Sequence, residues 1–150
     1  MRDAISNMQL IRGAVQTLSG TTANNSALLD RRGFDSVSIF AETGTVTDAG
    51  TAAGFTMKLQ HSDTTAAADF TDVDSADLIP NSTGATTVTV TADSDDDILA
   101  NGVGYVGIKR YVRAVFTGTT GTNAEVQILA VLSNSHRAPT TTIGSTTAAT

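Results

Sequence analysis

Short runs of alternating apolar and polar residues recur along this chain and predict β-strands. The clearest run is 55–61, FTMKLQH, where Phe55, Met57 and Leu59 alternate with polar side chains. Successive side chains of a strand point to opposite faces, so this period predicts a strand that buries one face. Further strand-like runs cover 34–41, 85–91, 107–117 and 124–132.

Residues 107–117 and 124–132 are the most apolar pair of runs, and they predict the centre of the core. The side chains expected to share one face are Val112, Ala114 and Phe116 in the first run and Val126, Ile128, Ala130 and Leu132 in the second. A short segment rich in Gly and Thr, residues 118–123, separates the two runs. We therefore expect them to pair as a β-hairpin in the middle of a sandwich.

The remaining segments are less regular. The spacing of apolar residues in 8–18 fits a strand slightly better than a short helix, and periodicity does not decide between them. Small polar residues predict a loop over 44–54, and the acidic segment 63–77 predicts a long loop with one helical turn. The expected fold class is all-β: an antiparallel, jelly-roll-like β-sandwich.

The predicted domain organisation is one sandwich with an extended arm at each end. Residues 1–26 are interpreted as an N-terminal arm that includes the first strand, 27–137 as the sandwich domain, and 138–150 as a C-terminal arm. The last segment is uncharged and rich in Thr, so it has little apolar surface to offset the entropy lost on ordering. A chain of 150 residues buries roughly 70% of its unfolded surface, which is enough for one core.

Composition narrows the classes of function. The chain has no cysteine, so neither disulfides nor thiolate metal sites are possible. Its net charge of −6 argues against binding nucleic acid through a broad basic surface. It contains no run of 18 apolar residues and no secretory apolar core at its N-terminus, so we expect no membrane segment and no secretion signal.

Three segments together resemble a known group of viral proteins. They are 28–36 (LLDRRGFDS), 105–113 (YVGIKRYVR), and 130–132 (AVL) with 136–139 (HRAP). In pattern and order these segments resemble the decoration, or cement, proteins that tailed bacteriophages encode among their head structural genes. None of the three is a catalytic signature.

The resemblance implies a structural virion protein rather than an enzyme. Its expected partners are the major capsid protein and further copies of itself, with a trimer favoured by analogy with the threefold positions of icosahedral heads. The expected location is the capsid exterior, after assembly in the cytoplasm of the bacterial host, and no cofactor is expected. Alternatives left open by the sequence are a carbohydrate- or receptor-binding β-sandwich, a neck or tail structural protein, and a hydrolase.

The candidate partner-contact residues are basic and fall in the segments that carry the resemblance. They are Arg31, Arg32, Arg110 and Arg137. Arginine suits this role because its planar guanidinium binds carboxylates through two parallel hydrogen bonds. Solvated strand ends are the alternative interpretation. No catalytic, cofactor-binding or metal-binding residue is predicted.

Two other patterns have a structural interpretation that competes with a chemical one. Residues 102–107, GVGYVG, match the GxGxxG spacing of dinucleotide sites, but that fingerprint needs a preceding strand and a following helix. Here an acidic turn precedes and a strand follows, so a bulge or a close backbone approach is the better interpretation. The acidic clusters at 93–97 and 69–77 lack the EF-hand order, which favours solvated turns over a cation site.

The two histidines complete the list of candidate groups for catalysis. His61 and His136 lie far apart in the sequence, and neither is accompanied by a nucleophile elbow or a zinc-ligand spacing. Serine and aspartate are abundant, so their presence does not by itself indicate a triad.

Overall fold

Two antiparallel β-sheets pack face to face around one hydrophobic core. The computed structural model describes residues 4–50 and 54–137. Within these residues each sheet has six strands, numbered β1 to β12 in chain order, and every strand pairing is antiparallel. The prediction of an all-β antiparallel sandwich is therefore confirmed.

The first sheet contains both of the longest strands. Its members are β1 (Met8–Arg12), β2 (Gln16–Ser19), β5 (Phe34–Asp48), β8 (Leu78–Ile79), β10 (Leu99–Tyr105) and β12 (Asn123–Ser135). Their order across the sheet is β1-β12-β5-β10-β8, and β2 pairs with β12 beyond the end of β1.

The second sheet is built around β6 and β11. Its members are β3 (Asn24–Asn25), β4 (Leu29–Asp30), β6 (Phe55–Ser62), β7 (Thr71–Asp72), β9 (Val88–Val90) and β11 (Tyr111–Thr117). The order is β3-β11-β6-β7, with β4 also on β11 and β9 also on β6. Short 3-10 turns occur at Ile5–Asn7, Ala67–Asp69 and Ser75–Asp77.

The core consists of the inward faces that the two-residue period predicts. The main contributors are Val37, Ile39 and Ala41 of β5, Phe55, Met57 and Leu59 of β6, Val112, Ala114 and Phe116 of β11, and Val126, Ile128, Ala130 and Leu132 of β12, all buried. Val88 and Val90 of β9 join the same core. The faces predicted for β6, β11 and β12 are therefore confirmed.

The predicted hairpin between 107–117 and 124–132 is wrong. β11 pairs with β6 along its whole length, from Tyr111 opposite Ser62 to Thr117 opposite Thr56. β12 instead pairs with β5 in the other sheet. The connection is therefore an arch from one sheet to the other, because alternation defines which face is buried but not which strand lies alongside.

The predicted loop over 44–54 is wrong in its first part, because β5 continues to Asp48. The buried side chains of Thr43 and Val46 keep this part of the strand on the core, and the register with β12 shifts by one residue between them. The carboxylate of Asp96 accepts a hydrogen bond from the Val46 N–H at 2.6 Å. The residues of 44–48 are mostly small and polar, so the sequence shows no clear apolar alternation that would predict the last part of β5.

The segment predicted as an N-terminal arm is integrated into the sandwich over its described part. Residues 8–18 form neither one strand nor a helix: β1 and β2 both pair with β12 and are separated by a short break. Ile11 and Leu18 are buried in the core. The predicted C-terminal arm, 138–150, lies outside the described residues.

The length of β5 and β12 separates the two ends of the sandwich. The two strands pair from Phe34 opposite Ser135 to Asp48 opposite Asn123. At about 3.3 Å per residue the 15 residues of β5 span roughly 45–50 Å. The turn before β5 and the residues after β12 therefore lie at one end, and the loop after β5 lies at the other.

Candidate functional site

One end of the sandwich gathers basic side chains from three segments that are far apart in sequence. They are Arg31 and Arg32 between β4 and β5, Lys109 and Arg110 before β11, and Arg137 after β12. The segments are joined by backbone hydrogen bonds from the Arg31 N–H to the Arg110 carbonyl (3.1 Å) and from the His136 N–H to the Gly33 carbonyl (2.9 Å). We call this surface the basic end.

Arg110 is held by Asp30 in a two-pronged ion pair. Its Nε lies 3.0 Å from Asp30 Oδ1 and its Nη2 lies 2.7 Å from Oδ2. The guanidinium also lies 4.8 Å from the centroid of the Tyr111 ring. Hydrogen bonding to Arg110 lowers the pKa of Asp30 below its ordinary value. This pair ties the segment before β11 to the end of β4.

Tyr105 is the buried support of the basic end. Its side chain is fully buried, and its hydroxyl accepts a hydrogen bond from the Lys109 N–H at 3.0 Å and lies 3.0 Å from His61 Nδ1. Arg31 places its guanidinium over the Tyr105 ring, 5.4 Å from the centroid, and donates a hydrogen bond to the Gly107 carbonyl. Burial raises the pKa of Tyr105, so the phenol stays neutral.

Two further side-chain pairs border the same surface. Lys109 Nζ lies 2.5 Å from Asp63 Oδ2, and this contact raises the pKa of Lys109 and lowers that of Asp63. His136 Nε2 lies 2.6 Å from Asp35 Oδ1. Both pairs are exposed, so they orient side chains more than they stabilise the fold.

Arg32 and Arg137 differ from the other basic residues of this end because no hydrogen-bond or ion-pair partner within the described residues holds their guanidinium groups. Both side chains are exposed. Arg32 contributes only a longer-range attraction that, after the hydrogen bond from Arg110, helps to lower the pKa of Asp30. The backbone N–H of Arg32 donates a hydrogen bond to Asp30 Oδ1 at 3.0 Å. This bond fixes the backbone from which the Arg32 side chain extends. As far as the described residues go, these two guanidiniums can bind acidic groups on another molecule.

The structure brings three of the four predicted contact residues around one depression. This depression has a volume of about 220 Å³ and is lined by Arg31, Arg32, Gly33, Phe34, Asp35, Ile108, Arg110 and His136. Arg137 lies next to it without lining it. Contact of these four arginines with a partner stays a prediction.

Sequence reasoning missed two residues of this surface. The sequence pattern indicates no role for Tyr105 and places Ile108 in a strand-like run, although β11 begins only at Tyr111. Ile108 is 91% exposed. The only signal in the sequence is its position as a single apolar residue between Gly107 and two basic residues.

The glycines of the GVGYVG pattern have a packing role. Gly102 and Gly104 lie within β10, and the register between β10 and β5 shifts between Leu99 and Gly102, as the predicted bulge requires. A Cβ on Gly102 would lie 2.5 Å from the Phe40 ring. The pattern therefore permits close packing in a strand and has no helix after it.

The acidic segments form hydrogen bonds within the chain. At the end opposite the basic end, Asp93 and Asp96 accept hydrogen bonds from the N–H groups of Ala49 and Val46, both at 2.6 Å. In the other segment, Asp72 pairs with Lys58 at 2.7 Å. Within residues 4–50 and 54–137, no group of three or more His, Asp or Glu side chains is arranged to hold a metal ion.

A larger open groove lies between β9 and β10, with a volume of about 420 Å³. Its lining is formed by small polar and aliphatic residues, among them Asn81, Thr83, Val90, Leu99 and Asn101, and contains no aromatic side chain. Sugar-binding surfaces usually offer aromatic rings for stacking, so this groove does not favour the carbohydrate-binding alternative. In the described part of the chain no helix is long and apolar enough to cross a membrane.

Comparison with known proteins does not assign a family. No protein-family model matches the chain, and no curated protein matches it. Among solved structures, a Bacillus endospore appendage, described as belonging to a novel family of disulfide-linked pili, aligns with 89% of this chain and 96% of its own at 11% identity and a TM-score of 0.39. A likeness at this level supports no inference about function.

Proposed function

We propose that this chain is a structural virion protein that decorates the head of a tailed bacteriophage and attaches through its basic end. The observation that carries the proposal is the convergence of the resembling segments. Residues 28–36, 105–113 and the described residues 136–137 of the third segment are distant in sequence, yet they meet at one end of the sandwich and are joined there by hydrogen bonds. Residues 130–132 of the third segment lie within β12 and are not part of this surface. Leu29, Tyr105 and Val112 of these segments belong to the core, but Arg31, Arg32, Ile108 and Arg110 line one depression at the surface, and it is this shared surface that supports a binding site.

The charge at this end supports a protein partner with acidic groups. The chain as a whole carries −6, whereas at the basic end the basic side chains outnumber the carboxylates that pair with them. Arg32 and Arg137 are exposed, and their guanidinium groups have no hydrogen-bond or ion-pair partner among residues 4–50 and 54–137. Arginine binds carboxylates with two hydrogen bonds in one plane. The proposed partner is therefore an acidic patch on the major capsid protein.

The proposed mechanism is attachment by many weak contacts from a rigid body. Arg110, Arg31 and Tyr105 act as positioning residues, because their own partners lie within the chain. Repetition across the capsid lattice and within a closed homo-oligomer, with a trimer favoured, raises the overall avidity by effective concentration. In this proposal the protein sits on the capsid exterior, where its acidic remainder faces away from packaged DNA.

Reversing the charges of Arg32 and Arg137 tests the proposal. In the double variant Arg32→Glu, Arg137→Glu, we expect at least tenfold weaker binding to empty heads assembled from the major capsid protein of the same genome, because attraction becomes like-charge repulsion. The free protein should keep its stability to within about 0.5 kcal/mol, since both side chains are exposed. The measurement is a binding titration by co-sedimentation at several salt concentrations, and the difference should shrink as salt screens charges beyond a Debye length of about 8 Å.

The matched control changes the net charge by the same amount elsewhere. Arg12→Glu with Lys58→Glu replaces two basic residues that pair with Glu42 and Asp72 and lie along the strands rather than at the basic end. This control should bind like the wild type. Equal binding by the Arg32/Arg137 variant and the control would remove the basic end from the attachment mechanism.

A further inference from the structure

The side chain of Ile108 lies almost wholly in solvent. At 91% exposure it is the most exposed large apolar side chain in the described residues; Val15 at 57% and Leu99 at 56% follow. Single exposed apolar residues are common on protein surfaces. What distinguishes Ile108 is the segment that carries it.

The segment 106–110 is fixed on both sides of Ile108. The Val106 N–H donates to the Asp77 carbonyl at 2.9 Å, and the Gly107 carbonyl accepts from Arg31. After Ile108, the Lys109 N–H donates to the Tyr105 hydroxyl at 3.0 Å. The side chains of Lys109 and Arg110 are then held by their carboxylate partners.

Glycine at position 107 makes this arrangement possible. A Cβ there would lie 2.5 Å from the Tyr105 hydroxyl oxygen and 2.7 Å from the ring carbon that carries it. The loop therefore folds down onto a buried tyrosine, and the next residue in the chain projects away from the body. A loop held in this way loses little conformational entropy when a partner binds.

The surroundings of Ile108 match the anatomy of a protein-protein contact. Binding surfaces commonly combine an apolar residue near the centre with a polar rim that excludes water. Ile108 lines the depression at the basic end together with Arg31, Arg32 and Arg110. Asp35 is the one carboxylate in the same lining, so the three arginines outnumber it around this apolar side chain. The complementary surface is an apolar pocket bordered by carboxylates.

We propose that Ile108 is the apolar anchor of the basic end and enters such a pocket on a capsid subunit. The proposal rests on the proposed function and adds a contact that charge alone does not supply. Arg32 and Arg137 would steer and orient the partner, while burial of Ile108 would hold it. Full burial of an isoleucine side chain corresponds to about 10- to 100-fold in affinity.

The test compares Ile108→Ser with Val15→Ser, an exposed apolar residue between β1 and β2, in the same titration onto empty heads. We expect Ile108→Ser to bind at least tenfold more weakly and Val15→Ser to stay within twofold of the wild type. Both free variants should melt within about 2 °C of the wild type, because little packing is lost. The loss in Ile108→Ser should persist at high salt, unlike that of the arginine variant, because an apolar contact is not screened.

Three results would overturn the anchor. If Ile108→Ser binds within twofold of the wild type while Arg32→Glu, Arg137→Glu binds weakly, attachment through the basic end stands and the anchor fails. If Ile108→Ser changes only the sedimentation of the free protein, the residue lies between copies of this chain. If the wild type does not bind heads at all, the proposed function and the anchor fail together.

Discussion

Ile128→Ala is expected to lower the free energy of unfolding by about 3 kcal/mol. Ile128 is 1% exposed and lies on β12, which is paired on both edges, so the surrounding strands cannot close over the space. Removing a buried isoleucine down to Cβ costs about 2–5 kcal/mol through lost transfer energy and the cavity that remains. Urea denaturation monitored by circular dichroism would measure the change.

Leu129→Ala is the matched control for the faces of β12. Leu129 is the next residue on the same strand but points to the outer face and is only half-buried. We expect a loss of about 1 kcal/mol, because less apolar surface is exposed by the change. A larger loss in Leu129→Ala than in Ile128→Ala would show that the strand faces are assigned the wrong way round.

Gly54→Ala is expected to cost about 3 kcal/mol or more. Gly54 has φ of +59°, where residues with a Cβ are strained, and it directly precedes β6. A Cβ at this position would also overlap the carbonyl oxygen of Val90. Since Phe55 pairs with Val90 in the first rung of the β6–β9 ladder, the backbone must move apart to relieve the contact. Thermal or urea unfolding of the variant measures the cost.

Gly84→Ala separates the cost of backbone strain at positive φ from the cost of steric overlap with Val90. Gly84 also has positive φ, +82°, but a Cβ there would meet no atom within 4 Å. This variant should therefore show only the backbone strain, about 1–2 kcal/mol. If Gly54→Ala costs no more than Gly84→Ala, the close approach of Val90 does not constrain the start of β6.

The core of this fold is predictable from the sequence because burial and alternation are linked within one strand. The period in 55–61 and the shared face of Val126 and Ile128 require only the geometry of an extended chain. Strand partners are not encoded in this way. β11 and β12 both have an apolar face, and the segment between them is compatible with a hairpin or an arch, so the pairing depends on contacts with β6 and β5 that lie far away in sequence.

In the candidate site, too, residue type can be read from the sequence, whereas the side-chain partners, which lie far away along the chain, cannot. The basic character of Arg31, Arg32 and Arg110 is visible in the sequence. Which of their guanidinium groups have a hydrogen-bond partner within the described chain, and which do not, is not visible there. The partners are Asp30 for Arg110 and Gly107 for Arg31, contacts that span 80 and 76 residues. Ile108 could not be identified as exposed, because its display depends on the buried hydroxyl of Tyr105.

The most direct test of the central claim is the orientation of the protein on a head. A cryo-electron microscopy map of empty heads incubated with the protein would show which end faces the lattice. We predict that residues 31–33, 106–110 and 136–137 contact the major capsid protein, and that residues 48–50 and the acidic turn at 93–97 point outward. Contact through that acidic end or through the open face of a sheet, with the basic end exposed, would contradict the account.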